Sequence, residues 1–353
     1  MATYINGVGA ISPQKTWGDE GVLLSAPVDY PNNYLSCIEP DYTQYIDPKY
    51  LRRMSRILKM GVTASIMALK EAEIAIPNGI ITGTGYGCLE DTGIFLRKMV
   101  KQKEQALNPT PFIQSTHNTI GSQIALLFNC QGYNQTYSQE AFSFENSVED
   151  ASLQLSEYPD QTLLVGGVDE FTDLSLEIQK RFGIFRTKSG SSLNIFKEPS
   201  RGILPGEGAL YFALSGKKAK ENCASIDSIE TFFDPTQEGL LKAIQQFMIT
   251  HKLKKNNIDL VLVGKSGDQV RDLLMNEICN KAFGTSRRGV FKHLCGEYST
   301  ASAFAVWLGA RIIQYQHIPS VILGKPFSGA VKNVLIYNSY FENYHSLTLL
   351  RSC

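Results

Sequence analysis

The sequence predicts an α/β fold, in which the strands of buried sheets alternate with helices along the whole chain. Short runs at residues 4–11, 80–87 and 260–264 are typical of buried strands, because they are largely apolar and carry no charged residue. Longer segments between them repeat apolar residues every three or four positions, as a helix with one buried face does. Strands and helices in the order βαβαβ favour layered sheets and helices.

The first half of the chain supplies one such set of elements. Residues 50–75 are predicted to form a long helix, which the Pro-Asn-Gly sequence at residues 77–79 ends. The run at residues 80–87 is a strand that leads into a glycine-rich turn. The other elements expected in this half are helices at residues 118–128 and 143–156 and strands at residues 133–137 and 162–165.

A second alternation begins near Ala224 and repeats the order of elements without a detectable sequence repeat. Its expected strands are residues 225–232, 260–264 and 334–337, and its expected helices are residues 237–251, 268–283 and 299–315. The polar residues 215–222 are the predicted junction, so we expect two pseudo-equivalent halves at residues 1–216 and 217–353. Residues 188–192 and 198–201 are predicted surface loops.

Composition excludes several classes of protein. Lys+Arg and Asp+Glu both total 34, so nothing indicates binding to nucleic acid or to an anionic membrane. No apolar run approaches the ~20 residues of a membrane span, and the N-terminus is typical of a strand rather than a signal peptide, so we expect a cytoplasmic protein. The 7 cysteines are scattered and form no C-x-x-C, which predicts reduced thiols without a disulfide framework, metal or other cofactor.

Several segments, in order along the chain, resemble motifs of the beta-ketoacyl synthases. Residues 5–13 (INGVGAISP) resemble the family's opening strand TGxGxxSP, and residues 83–91 (GTGYGCLED) resemble its GTGxGG turn. Residues 52–56 (RRMSR) are similar to its early helix, and residues 201–209 (RGILPGEGA) to its RDGFVxGEGA segment. The resemblance implies a thiolase-like fold, whose two halves are layered as α/β/α/β/α.

The same resemblance indicates that the nucleophile is missing. In the family a strand ends in Ala-Cys-x-Ser, a helix follows, and a buried strand ends in Ala-Gly-Gly-Ala-Glu. Counting back from Asp169 puts Ala141 at the position of the acylated cysteine, and a methyl group cannot hold a thioester. A register shift of one residue would put Phe142 there, which cannot be acylated either. Ser143 is predicted to be a cap or first-turn residue of the next helix, because no histidine lies nearby to activate it.

Both catalytic histidines of the family are replaced as well. They polarise the malonyl thioester carbonyl and stabilise the enolate that forms as carbon dioxide leaves. The family's HGTxTxxxD motif corresponds to VGKSGD here, with Gly264 or Lys265 near the histidine position. Its KSxxGHxxGAAG motif corresponds to KHLCGEYSTAS, which retains Lys292 but has Glu297 in place of the histidine. We expect a buried Lys292–Glu297 ion pair, and a structural role for the neighbouring His293.

A closing turn of the family is also changed. Its GFGGxN sequence gates the acyl tunnel, whereas residues 340–345 of this chain read YFENYH. Bulky residues do not take up glycine conformations freely, so the tunnel entrance is predicted to be closed or reshaped. Phe341 in this turn, together with Phe142, Ser143 and Phe144 at the elbow, is predicted to line or fill the vacated cavity.

Loss of the whole catalytic set implies a degenerate subunit similar to the chain-length factors of this family. Such subunits form heterodimers with an active ketosynthase, which receives its chains from an acyl carrier protein, in fatty-acid or polyketide-type biosynthesis. Alanine at position 141, where aromatic polyketide factors usually carry glutamine, favours aryl-polyene pigment systems instead. Residues 133–137 and 109–118 are the predicted interface, and a homodimer stays open. His117, next to a helix in that region, is predicted either to cap the helix or to contact the partner.

The alternative is an enzyme. A divergent acyltransferase or condensing enzyme of the same fold would need another thiol, and Cys295, between Lys292 and Glu297, is the candidate. Cys88 and Cys130 are expected to be inert, because buried cysteines usually behave as small apolar residues. A third hypothesis is a homodimer that binds acyl carrier protein without chemistry.

Overall fold

Ten strands join into one mixed sheet in the part of the chain that this computed structural model describes, which is residues 2–18, 23–105, 107–198, 200–219, 223–325 and 327–353. The strands of that sheet are β1 (Thr3–Ile11), β2 (Gly79–Gly83), β3 (Tyr133–Tyr137), β4 (Thr162–Asp169), β5 (Gly208–Ser215), β6 (Ala224–Phe233), β7 (Leu260–Val263), β8 (Arg288–Val290), β11 (Asn333–Tyr340) and β12 (Tyr344–Ser352). Strands β9 (His317–Ile318) and β10 (Phe327–Ser328) form a separate pair.

Helices cover both faces of the sheet. They are α1 (Pro48–Leu51), α2 (Arg56–Ala72), α3 (Leu89–Lys101), α4 (Pro109–Gln114), α5 (Thr119–Phe128), α6 (Ser143–Glu157), α7 (Asp173–Arg181), α8 (Gln237–Thr250), α9 (Gln269–Phe283), α10 (Lys292–Cys295), α11 (Ser302–Tyr315) and α12 (Ser320–Leu323). Within the described ranges, no helix is long and apolar enough to cross a membrane.

The sheet has the same topology in both halves of the chain. Its strand order is β3-β2-β4-β5-β1 followed by β6-β12-β11-β7-β8, which repeats the first five in mirrored order. Strand β2 lies parallel to β3 and β4, just as β7 lies parallel to β8 and β11. The inner pairs β4–β5 and β11–β12 are antiparallel. The predicted pseudo-equivalent halves are therefore confirmed.

The halves meet where β1 pairs with β6 over Thr3 to Ile5. Along the chain, β5 ends at Ser215 and β6 begins at Ala224. Within the predicted junction, residues 220–222 lie outside the described residues, as does residue 199 of one predicted loop. We propose that the boundary between the halves falls at residues 216 and 217.

Three apolar clusters of described residues build the layers. One lies under α2 and α5, a central one contains the buried faces of α6 and α11, and the third lies under α8 and α9. Helix α2 approaches the sheet closely at two glycines of β1. A Cβ added at Gly9 would lie 1.9 Å from the carbonyl oxygen of Ala64, and one at Gly7 would lie 2.3 Å from that of Ala68. Only glycine permits this contact between helix and strand.

The helix predicted at residues 50–75 is wrong in its extent, because the structure has two helices there. Residues 52–55 separate α1 from α2, and Ser55 is extended, with φ −66° and ψ 170°. The break lets Arg56 begin α2 and reach the buried carboxylate of Glu207, to which Nη1 donates at 2.6 Å. Helix α2 ends at Ala72, before the predicted Pro-Asn-Gly stop, because Glu73 adopts a left-handed conformation with φ 60°.

Candidate functional site

A tight turn joins β3 to α6 and buries the side chain of Ala141. Glu140 takes a left-handed φ of 47° within a short 3-10 helix, Glu140–Phe142. The Ser143 hydroxyl donates to the carbonyl oxygen of Glu140 at 2.7 Å and accepts from the amide of Gln139 at 2.8 Å. Ser143 is thus the first residue of α6, and its hydroxyl closes the turn. The turn presents a methyl group, of which 2% is exposed, at the start of the helix.

The phenylalanines beside this turn have different surroundings. The Phe142 ring is half-buried and lies edge-on to Tyr344, with the ring centroids 5.0 Å apart. Tyr344 also packs against the exposed Phe233 ring at 5.0 Å. Phe144 is fully buried, and the centroid of its ring lies 5.7 Å from that of the Phe212 ring. Phe142 therefore belongs to an aromatic surface cluster, whereas Phe144 belongs to the core.

A buried ion pair occupies the second half of the candidate site. The Lys292 ammonium donates to Glu297 Oε1 at 2.7 Å and Oε2 at 2.8 Å, and to the carbonyl oxygen of Ser339 at 2.6 Å. Only 1% of the lysine side chain and 2% of the glutamate side chain are exposed. Burial raises the pKa of Glu297, and the charge of Lys292 opposes that rise. All three protons of the ammonium have acceptors, so the pair has the predicted buried geometry.

Three of the sequence-predicted positions line one small pocket beside this pair. Gly264, Glu297 and Phe341 all contribute to its wall, and the cavity volume is about 20 Å³. That volume holds about one water molecule. A Cβ added at Gly264 would lie 2.3 Å from Asn338 Oδ1, so a larger residue there would have to displace Asn338. Lys265 lies outside the pocket wall, with its ammonium 5.5 Å from the centroid of the Phe196 ring.

The turn that carries Phe341 joins β11 to β12. Phe341 adopts a left-handed φ of 51°, a conformation that costs a residue with a side chain about 1 kcal/mol. The guanidinium of Arg271 lies 4.7 Å from the centroid of its ring, and the Ser339 hydroxyl donates to its carbonyl oxygen at 3.0 Å. A bulky residue thus takes a glycine-like conformation here and forms part of the pocket wall.

Comparison with known proteins identifies the family to which this chain belongs. Residues 30–219, more than half of the chain, match the N-terminal domain of beta-ketoacyl synthases. The chain belongs to the beta-ketoacyl synthase family. The comparison with curated proteins finds no match.

Solved ketosynthase structures share the fold over the full length of this family member. The ishigamide ketosynthase/chain length factor has a TM-score of 0.84 at 17% identity, covering 100% of this chain and 99% of that chain. A beta-ketoacyl synthase from Burkholderia phymatum has a TM-score of 0.82 at 16% identity, with the same coverage. A ketosynthase in complex with its chain length factor from Xenorhabdus doucetiae has a TM-score of 0.75 at 13% identity, covering 100% and 98%. The predicted thiolase-like fold is confirmed.

Cys295 lacks the properties of a catalytic thiol in this ketosynthase-like site. None of its surface is exposed, and its thiol donates to the carbonyl oxygen of Gly296 at 3.3 Å. Burial raises its pKa well above the ordinary value, which disfavours the nucleophilic thiolate. His293 is equally unsuited to catalysis, because burial lowers its pKa to about 4 and its Nε2 lies 3.1 Å from the carbonyl oxygen of Val321.

Two other predictions concern residues near the ketosynthase-like site. Cys130 was expected to be buried but is half-buried. It follows the left-handed C-cap residue Asn129 of α5, and its thiol donates to the carbonyl oxygen of Pro77 at 3.3 Å. His117 is exposed and packs against Gly87, while Asn118 takes the N-cap position of α5. Contact with a partner is therefore the remaining prediction for His117.

Among the described residues, no group of three or more His, Cys, Asp or Glu side chains is arranged to hold a metal ion.

Asp169 links two segments next to the candidate site by hydrogen bonds, a role that the sequence alone did not predict. It ends β4 and is buried, and it accepts hydrogen bonds from the amides of Gly85 at 2.8 Å and Thr300 at 3.0 Å. The hydroxyls of Thr84 and Thr300 also donate to it, at 3.1 and 2.8 Å. One carboxylate therefore joins the turn after β2 to the residues that precede α11.

Glu145 is a second buried carboxyl that the sequence did not single out. It lies in the first turns of α6 with no exposed surface, and Oε1 accepts from the Ser346 hydroxyl at 2.8 Å. Desolvation raises its pKa from 4.5 to about 7, although Ser346, Ser302 and the charge of Lys292 oppose the rise. Near neutral pH this carboxyl is therefore partly protonated in the folded chain.

Glu145→Gln is expected to remove part of the pH dependence of stability. Because the folded pKa lies above the unfolded one, the stability that Glu145 contributes is complete below pH 4.5 and is lost as the pH rises through 7. Between pH 5 and 8 this amounts to about 2 kcal/mol. Urea unfolding of the parent chain and of Glu145→Gln at several pH values measures the difference in their pH dependence. Burial raises the pKa of Glu170 to about 8, so the unfolding free energy of both proteins should still fall with pH in this range. Identical pH profiles would contradict the assignment.

Proposed function

We propose that this chain is a catalytically degenerate ketosynthase-like subunit that pairs with an active ketosynthase. The observation that carries the proposal is the Lys292–Glu297 pair. The retained Lys292 bonds to Glu297, which stands in place of the family's histidine, and the adjoining cavity of about 20 Å³ has no room for an acyl chain. Ala141 at the elbow supplies no group that could be acylated. In this proposal the partner supplies the cysteine and the histidines.

Two exposed features of the first half support the predicted interface. Strand β3 is at the edge of the sheet, with Tyr133, Asn134 and Gln135 exposed, and an edge strand presents backbone groups that another strand can pair with. In α4, Phe112 is 54% exposed and Ile113 is 61% exposed. Exposed apolar side chains and an open sheet edge each favour a protein partner, and we propose that both contact the ketosynthase.

The biosynthetic setting is also part of the proposal. One similar structure is a type II polyketide synthase acyl-carrier protein in complex with its ketosynthase, with a TM-score of 0.76 at 12% identity. We propose that the pair works in the cytoplasm on chains delivered by an acyl carrier protein, in fatty-acid or polyketide-type biosynthesis. Aryl-polyene pigments are the variant that Ala141 favours. The chain itself would supply interface and cavity wall without a cofactor.

The first test is the intact mass of the chain after incubation with an acyl thioester, with and without a co-expressed ketosynthase. We expect acyl mass on the partner only, since neither Ala141 nor the buried Cys295 offers a thiolate. A stoichiometric adduct that peptide mapping places on any residue of this chain other than the accessible Cys353 would overturn the proposal. If Cys295→Ser then abolished that adduct, the alternative of a divergent enzyme would be correct. Size exclusion of the co-expressed chains separates the heterodimer from a homodimer.

A further inference from the structure

Two cysteines face each other where the last strand of the sheet ends. The antiparallel register of β12 and β6 pairs Ser352 with Ala224. One step further along both strands, the amide of Cys353 donates to the carbonyl oxygen of Cys223 at 3.1 Å. Directly opposed residues of this kind have Cα atoms about 5.5 Å apart. A disulfide requires about 4.4–6.8 Å, so the backbone is already placed for one.

The two thiols also interact, and they are unequal. Cys223 is 8% exposed, whereas Cys353 is half-buried and therefore accessible. A hydrogen bond from the Cys223 thiol, assisted by Ser225 and the charge of Lys218, lowers the pKa of Cys353 to about 7. The same contact raises the pKa of Cys223. At neutral pH the pair thus holds a partly ionised thiolate next to a protonated thiol.

The other cysteines of the chain lack this combination. Four are buried, and burial raises the pKa of each above its ordinary value; they are Cys37, Cys88, Cys279 and Cys295. Cys130 is half-buried like Cys353, and both thiols donate to a backbone carbonyl, but only Cys353 also accepts a hydrogen bond from a second thiol among the described residues. Reactivity follows thiolate character and exposure, which distinguishes Cys353 from the rest.

We propose that Cys223 and Cys353 form a redox-active thiol pair, a site of reversible oxidation by peroxides. The Cys353 thiolate attacks one oxygen of the peroxide, the O–O bond breaks, and the departing hydroxide takes up a proton to leave as water. The sulfur of Cys223 then attacks the resulting sulfenic acid, loses its proton, and displaces the hydroxyl group as a second water molecule. Two thiols are oxidised to one disulfide while hydrogen peroxide is reduced to water.

The bond would fasten β12 to β6. Strand β12 begins at Tyr344, which packs against Phe142 at the elbow, so the strand links the thiol pair to the candidate site. Oxidation is therefore expected to raise the melting temperature of the chain by restricting its unfolded state. The proposal does not depend on the proposed function, because it rests on a different part of the sheet.

The test uses the full chain treated with hydrogen peroxide, then alkylated and analysed as intact protein and as peptides. We expect a loss of about 2 Da before alkylation, two fewer alkyl groups than on a reduced chain alkylated in parallel, one cross-linked peptide pair containing Cys223 and Cys353, and full recovery with dithiothreitol. In Cys223→Ser, dimedone should trap a sulfenic acid on Cys353. In Cys353→Ser, Cys223 should stay reduced, and Cys130→Ser is the matched control that should behave like the parent chain. Oxidation that spares Cys353, or that labels Cys130 equally, would overturn the proposal.

Discussion

Lys292→Met is expected to lower the free energy of unfolding by about 4 kcal/mol. The substitution removes the only ion-pair partner that Glu297 has among the described residues, and it leaves the carbonyl oxygen of Ser339 without the ammonium donor. Both groups stay buried, so the loss is that of an uncompensated charge and an unpaired acceptor. Urea unfolding measures it. Because burial raises the pKa of Glu297, the loss should shrink as the pH falls and the carboxyl becomes protonated.

The double variant Lys292→Met/Glu297→Leu distinguishes the cost of leaving Glu297 unpaired from the contribution of the whole ion pair to stability. Replacing both partners by hydrocarbon removes the charge and its counter-charge together and leaves only the carbonyl oxygen of Ser339 without its donor, so we expect a loss of about 1–2 kcal/mol, at most half that of Lys292→Met. The exposed pair Lys242–Glu238 is the control, since its side chains are 74% and 79% exposed. Lys242→Met should cost no more than about 0.5 kcal/mol. A double variant as unstable as Lys292→Met would show that the pair is not the cause.

The same double variant also tests what the ion pair does in the complex. If the pair only fills the vacated site, as its complete set of hydrogen bonds indicates, a co-expressed ketosynthase should keep its activity. A folded double variant that still binds the ketosynthase but fails to support its activity would give the pair a role in catalysis by the partner. Stability and activity therefore answer two separate questions.

The sequence predicted best those elements whose pattern is local. Strand β3 has the predicted bounds, and α6 and α5 differ from theirs by one residue at one end. Apolar periodicity specifies the two helices, whereas tyrosine and threonine, which favour strands, indicate the mostly polar β3. Strand β12 was missed, since its first residues looked like part of a changed gate motif. Its identity as a strand depends on pairing with β6 and β11, which no short window of sequence contains.

The sequence predicted residues of the candidate site only where they lie within a family motif. The motif identified the pair Lys292–Glu297, but left Gly264 and Lys265 as alternatives. In the structure only Gly264 lies in the pocket wall, and Asn338, which is remote in sequence, takes the space that a side chain at this position would need. The burial of Asp169 and Glu145 likewise depends on partners far along the chain. Desolvation of a carboxyl is a property of the packed fold, so composition and spacing do not reveal it.

Ile113→Asp is expected to weaken binding of the partner ketosynthase about 100-fold, equivalent to about 3 kcal/mol. Ile113 is 61% exposed in α4, next to the exposed Phe112, so an aspartate is tolerated in the free chain but would be desolvated in the proposed interface. Co-purification followed by titration of the two purified chains measures the affinity. Circular dichroism of the free variant should match that of the parent chain, because the side chain packs little against the fold.

Ile249→Asp is the matched control, because this isoleucine has the same 61% exposure but lies in α8 of the second half. It introduces the same charge at a site far along the chain from the open edge of β3. Equal losses of affinity in both variants would indicate a general effect of charge and would contradict the proposed interface. Unchanged affinity in Ile113→Asp would place the partner elsewhere. Loss in Ile113→Asp alone would locate the contact at α4, in the first half of the chain, as the proposed interface requires.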